Sequence, residues 1–190
     1  MVEQGLADFD RARRKAAERT GIVDRRSWPS NEAIQEALAT QRRLFPDGDY
    51  QHALEQLRRE AFEAMRAFQR FAPRLTGAVL DGTGPIERGI QLYLFAERPE
   101  EVVFELLDRR IPWQEQECSF RYGHGERRNH PILYFFAGET RVELIVLPPA
   151  ALRNPPLHPV TERPDRGANM AVLEHLITKP NHLDEHRSGL

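Results

Sequence analysis

The sequence predicts an α/β protein of the α+β kind: a mixed, mostly antiparallel sheet of about five strands, helices packed on it, and a helical extension at the N-terminus. Three observations predict it. Apolar residues recur at three and four over residues 50–72. Two apolar runs flank a glycine-rich loop over residues 75–95. Three strand-like runs then follow one another between residues 113 and 149, joined by short turns.

Taken in order, residues 6–19 place Leu6, Phe9, Ala16 and Ala17 at helical spacing, and Gly21 stops them as a C-terminal cap. The basic cluster Arg11, Arg13, Arg14, Lys15 and Arg19 reads as a solvated helix face. After a linker at 24–30, Ser30 is a good N-cap for a second helix carrying Ile34, Ala37, Leu38, Gln41, Leu44 and Phe45, which Pro46-Asp47-Gly48 ends. The third helix, 50–72, shows the strongest periodicity: Ala53, Leu54, Leu57, Ala61, Phe62, Met65, Phe68 and Phe71 form a core stripe, and Pro73 closes it.

Residues 75–80 then read as a strand, Gly82 and Gly84 as a loop, and Ile90 to Phe95 as a second strand. Ile90, Leu92 and Leu94 share one face of it, Gln91 and Tyr93 the other. Pro99 opens a helix whose Val102, Val103, Leu106 and Leu107 are expected to face inward. The polar alternation of residues 113–122 fits an edge strand. A turn at 123–130 leads to the apolar run 131–138, and Gly138-Glu139 turns back into 141–149, apolar enough to be central. Six prolines between 148 and 164 predict an extended wrapping segment, and Met170, Val172, Leu173, Leu176 and Ile177 a final helix before Pro180. The expected organisation is a helical extension over 1–48, an α/β core over 49–148, and a wrapping segment with a short helix over 149–190.

Composition narrows the function. With 27 basic and 29 acidic residues the net charge is -2, so no global field favours nucleic acid. No apolar run reaches the roughly 20 residues that span a bilayer, so no membrane role is expected. Cys118 is the single cysteine and has no partner for an internal disulfide; no apolar leader opens the chain, and cytoplasm is the expected compartment. GxxxxGK[ST], GxSxG and HExxH patterns are absent.

The order of strand, glycine-bearing loop and strand with two alternating positions on one face resembles the polymerase-beta-type nucleotidyltransferase superfamily, over residues 50–148. In that family a first strand ends in Gly-Ser, the next carries two magnesium-binding carboxylates, and a later strand supplies a third. By this resemblance Gly82-Thr83 stands where Gly-Ser would be, the two carboxylate positions fall on Gln91 and Tyr93, and the third on Glu143. It implies the family's fold and cleft with a degenerate metal motif. Glu143 is the candidate catalytic residue, and Asp81 and Glu87 are the further acids that could help hold magnesium.

A magnesium-dependent transfer needs converging carboxylates, because a hard cation takes oxygen ligands and must offset charge on phosphate. Gln91 offers only a neutral amide and Tyr93 a phenol. The loop Gly82, Thr83 and Gly84 could still present backbone amides to a phosphate, with Arg74, Arg88 and the hairpin pair Arg127 and Arg128 adding charge-assisted bonds. The expected function is therefore a catalytically degenerate nucleotidyltransferase-like protein that binds a nucleotide or other phosphorylated small molecule, or regulates through it. The alternatives are an active magnesium-dependent enzyme transferring a nucleoside monophosphate, and an interaction module that binds a protein partner or a second copy of itself.

Overall fold

A computed structural model describes residues 48–82, 85–159 and 161–178. The helices expected at 6–19 and 31–45 lie outside the described residues, as do Thr83 and Gly84 of the loop. The first described element is α1 (Gly48–Ala67). Its stripe of Leu54, Ala61 and Met65 is buried, and a short 3-10 turn at Gln69–Phe71 continues it before Pro73. The elements that follow are β1 (Arg74–Thr76), α2 (Ala78–Asp81), β2 (Ile90–Phe95), α3 (Glu100–Asp108), β3 (Gln114–Arg121), β4 (Arg127–Ala137), β5 (Thr140–Leu147) and α4 (Met170–Thr178).

The strands form one sheet in the order β1-β2-β5-β4-β3. β2 and β5 are parallel, with Gln91 opposite Glu143, and the other three pairings are antiparallel. A parallel pair needs a crossover, and α3 with the β3–β4 hairpin supplies it. As expected, the sheet is mixed and five-stranded, the 141–149 run is its central strand, and the polar 114–121 run is an edge.

Period-two alternation gives the sheet two unlike faces. On one, Ile90, Leu92, Leu94, Leu133, Phe135, Val142, Leu144 and Val146 pack against Leu54, Ala61, Met65 and Phe68 of α1, Val102 and Leu106 of α3 and Leu173 of α4, making the main core. On the other, Tyr93, Phe95, Ile132, Ile145 and Leu147 form a smaller cluster under Ala151. Both faces of β2 and β5 are therefore covered, which fits the apolar runs Leu92–Phe95 and Leu144–Leu147.

Three local expectations are corrected. Residues 77–81 are not strand. Gly77 (φ 73, ψ -159) takes a backbone conformation that only glycine holds without strain, and the chain coils into α2. Arg58 of α1 fixes that turn by donating to the carbonyls of Val79 and Leu80, at 3.0 Å each; burial lowers the Arg58 pKa from its usual value. The basic sequence at 127–130 is the start of β4 rather than a turn, because β3 pairs with it through Arg121 and Arg127. Leu107 is 52% exposed; Val102 and Leu106, four apart, suffice to fill the inward face of α3.

After β5 the chain makes a 3-10 turn at Pro149–Leu152 over the second face and then returns to the far edge of the sheet. There Leu75 and Ala168 exchange backbone hydrogen bonds of 2.8 and 2.7 Å, so the short strand β1 has a partner on each side. Pairing an edge in this way removes a template for intermolecular association. Asp165 is the fastener. Its Oδ2 accepts from Thr76 Oγ1 at 2.5 Å and from the Tyr93 hydroxyl at 3.0 Å, and its Oδ1 from the Gly167 amide at 3.0 Å.

Thr76 and Tyr93 are both buried, so removal of Asp165 takes away the acceptor that their two hydroxyls share. Asp165→Ala is expected to cost about 2–3 kcal/mol in urea denaturation, and Asp165→Asn, which keeps an acceptor oxygen, distinctly less.

Candidate functional site

The second face of the sheet carries a polar row. The register sets Thr76 beside Gln91, Gln91 beside Glu143, Glu143 beside Tyr134 and Tyr134 beside Gln114, one residue from each strand. In-register neighbours point to the same side of a sheet, so the row is continuous. At its centre Glu143 is 2% exposed. Its Oε1 accepts from Arg141 Nε at 2.9 Å and lies 2.8 Å from Arg141 Nη2; its Oε2 accepts from Gln91 Nε2 at 2.8 Å. The Arg141 guanidinium also lies 4.0 Å from the centre of the Tyr134 ring, whose hydroxyl donates to Gln114.

The positions picked from sequence as Gln91 and Glu143 are thus in contact, joined by a hydrogen bond rather than by an ion. Gly77 closes over them, since a Cβ there would collide with Gln91 Oε1. At the same end of β2 the backbone is equally tight, because a Cβ on Gly89 (φ 81) would run into the carbonyl oxygen of Arg141. Gly77, at the end of β1, occupies the strand-end place that the sequence reading gave to Gly82. Gly82 instead caps α2 at its C-terminus, with φ 66, and a Cβ there would meet Arg58 and Leu54.

Tyr93 lies one step along β2 on the same face. Burial and the neighbouring Asp165 push its hydroxyl pKa well above the usual value, so it stays protonated and donates to Asp165. Beside it opens a pocket of about 100 Å³ whose lining includes Tyr93, Phe95, Leu147, Pro155 and Pro156 together with the charged Arg74, Asp165 and Arg166. Arg74 stands opposite Tyr93 in the β1–β2 register. With Asp165 already receiving three hydrogen bonds, Arg74 and Arg166 are the charged lining groups that have no side-chain hydrogen bond or ion pair among the described residues.

The remaining sequence candidates are dispersed. Asp81 ends α2 and its Oδ2 lies 3.7 Å from His158 Nε2 of the wrapping segment. Glu87 and Arg88 are exposed on the 3-10 turn Ile86–Arg88. Arg127 and Arg128 sit on β4 some 20 Å from Tyr134, at about 3.4 Å per residue, with Arg128 bonded through its Nε and Nη2 to Glu126. The hairpin arginines and the Gln91–Glu143 row are therefore not one site. His130, behind that hairpin, bonds the buried Tyr122 hydroxyl at 2.8 Å, and burial together with Arg128 lowers its pKa.

Sequence reasoning missed Gly77, Arg141, His158, Asp165 and Arg166. Arg141 carried a signal, because it is two residues from Glu143 and must share its face. Asp165 carried none, lying far along the chain in a proline-rich stretch. Magnesium does not fit this donor set. Both oxygens of Glu143 are taken, an arginine already supplies the compensating charge, and among the described residues no three carboxylate, histidine or cysteine groups gather around one point.

Two outcomes follow from this geometry. Glu143→Ala strands Arg141 without its partner and is expected to destabilise the protein by about 3 kcal/mol in urea, while Glu143→Gln, which keeps acceptor and donor atoms in place, costs less. The second concerns His158, whose pKa is raised chiefly by its bond to Asp81, against an opposing effect of burial. A pKa raised on folding contributes stability that is complete below the unfolded histidine value and is lost as pH rises through the folded value. The stability margin of wild type over Asp81→Asn should therefore shrink between pH 6 and pH 8.5, by denaturation of both proteins at both pH values. No protein-family model, curated protein or solved structure matches the chain.

Proposed function

We propose that the protein is a nucleotidyltransferase-like scaffold that has exchanged its metal site for a fixed ion pair and binds a phosphorylated small molecule on the second face of its sheet. One observation carries this reading. The strand positions at which the resemblance expects magnesium carboxylates include a contacting pair, Gln91 and Glu143, and Arg141 stands there as an internal cation. An internal cation removes the need for a metal, and with it the means of stabilising charge on a transferred phosphoryl group. What supports binding is the adjoining pocket, where Arg74 and Arg166 offer planar, bidentate donors suited to phosphate oxygens beside Tyr93 and Phe95.

The reading is tested by thermal-shift titration with the four ribonucleoside triphosphates and with inorganic phosphate, each with and without magnesium. A ligand at a hundred times its Kd stabilises the native state by ~2.7 kcal/mol, which for a chain of this size is a rise of about 5–10 °C in Tm. The expected result is a rise that does not depend on magnesium and is abolished by Arg74→Ala with Arg166→Ala. A rise that requires magnesium, accompanied by release of pyrophosphate and lost in Glu143→Ala, would replace this reading with an active transferase. No rise at millimolar concentrations of any of these ligands would end it.

A further inference from the structure

Asp165 puts a negative charge where the proposed ligand is itself an anion. It lines the pocket beside Tyr93 together with Arg74 and Arg166, so the charged lining is two guanidinium groups and one carboxylate. Among the described residues its side chain is bonded to neither arginine; its partners are Thr76, Tyr93 and Gly167. A carboxylate facing an oxyanion costs affinity unless a proton lies between them, because two acceptors cannot hydrogen-bond each other. Fastening β1 to β2 accounts for three of its bonds and not for its place in an anion pocket.

The existing bonds leave one opening. An ionised carboxylate has about four acceptor positions and no donor. Oδ2 accepts from Thr76 Oγ1 and from the Tyr93 hydroxyl, and Oδ1 accepts from the Gly167 amide alone. Oδ1 can therefore receive one further donor. Pocket size restricts what brings it. An apolar cavity of about 150 Å³ holds one benzene ring, and this pocket is about 100 Å³. It has room for a single tetrahedral oxyanion and none for a nucleoside, so a nucleotide would enter by its terminal phosphate only. The guanidinium groups suit the unprotonated oxygens of that anion, and Asp165 suits a protonated one. Leu152, 39% exposed and part of the same lining, offers apolar surface to whatever carries the phosphate.

Resting on the phosphate-binding reading above, we propose that Asp165 is the specificity-determining residue of this pocket. Its open Oδ1 position accepts the P–OH of a protonated phosphate group, free or at the end of a monoester. Oxyanions divide by this criterion. Inorganic phosphate keeps a P–OH throughout the neutral range, and a monoester, with a second pKa of about 6, carries one on roughly half its molecules at that pH. Sulfate and a phosphodiester carry none, and for them Asp165 is an unrelieved repulsion. A site built to bond a ligand hydroxyl rejects the analogue lacking it far more strongly than an apolar pocket rejects a misfit.

Isothermal titration calorimetry of the full chain at pH 6 against inorganic phosphate, methyl phosphate, sulfate and dimethyl phosphate tests this. His158, the other titrating group that Asp165 influences, meets every ligand in the same state at fixed pH. Inorganic phosphate and methyl phosphate are expected to bind, with sulfate and dimethyl phosphate about 100-fold weaker or absent. Methyl phosphate binding at least as tightly as phosphate assigns a monoester, and phosphate binding alone assigns the free ion. Asp165→Asn, its folding verified by far-UV circular dichroism, replaces an acceptor by a donor and is expected to bring sulfate within a few-fold of phosphate. A purely structural role would weaken all four ligands alike. Sulfate equal to phosphate in the wild type, both lost in Arg74→Ala with Arg166→Ala, would overturn the role of Asp165 and leave the phosphate-binding reading standing. An unchanged ratio in a folded Asp165→Asn would do the same; if that variant does not fold, the wild-type series decides. No binding of any of the four at millimolar concentration would remove that reading and this inference with it.

Discussion

The parallel pairing of β2 with β5 is the constraint on which the molecule depends. It makes the two strands central, buries both of their faces, and requires the excursion through α3, β3 and β4 before the chain can return beside β2. It also places residue 91 against residue 143. A carboxylate in the middle of such a sheet is tolerable only with its charge met, and Arg141, a β5 neighbour on the same face, meets it. The ion pair is thus a consequence of topology as much as of chemistry: the register brings the acid inside, and the alternation of the strand supplies the base.

The two faces then diverge in role. The helical face is a conventional apolar core with α1 at its centre, and its residue choice follows three-four periodicity against period two. The other face is divided along its length. Its lower part holds the polar row from Thr76 to Gln114. Its upper part is an apolar cluster roofed by the turn at Pro149–Leu152. The pocket beside Tyr93 arises at the junction of these parts, where the returning chain stands off the sheet between Pro155 and Asp165. Arginines reach that junction from two directions, Arg74 from the first strand and Arg166 from the returning chain.

Most of the architecture was legible in the sequence because it is written in local periodicity. The stripe from Leu54 to Phe68, the alternation in 90–95 and the three consecutive strand signals each declare an element without knowledge of its neighbours. Where local signals failed, a distant partner decided. Residues 75–80 looked like one strand, yet the glycine conformation at Gly77 and the carbonyl bonds from Arg58 turn the second half into a helix. The candidate site was half legible for the same reason. Gln91, Tyr93 and Glu143 could be grouped by alternation, while the acceptor for Tyr93, an aspartate 72 residues further on, is invisible to any window along the chain.

The joining of Leu75 to Ala168 has a kinetic consequence. Contacts this far apart in sequence cost the most loop entropy to close, and chains dominated by such contacts fold slowly. Hairpins β3–β4 and β4–β5 can form as soon as their turns do, and β2 can join β5 once they exist. The bridge at Ala168, with Asp165 gripping Thr76 and Tyr93, gains its partners only when that sheet is in place. The pocket beside it is thus the part of the fold whose closure depends most on the rest of the sheet being formed.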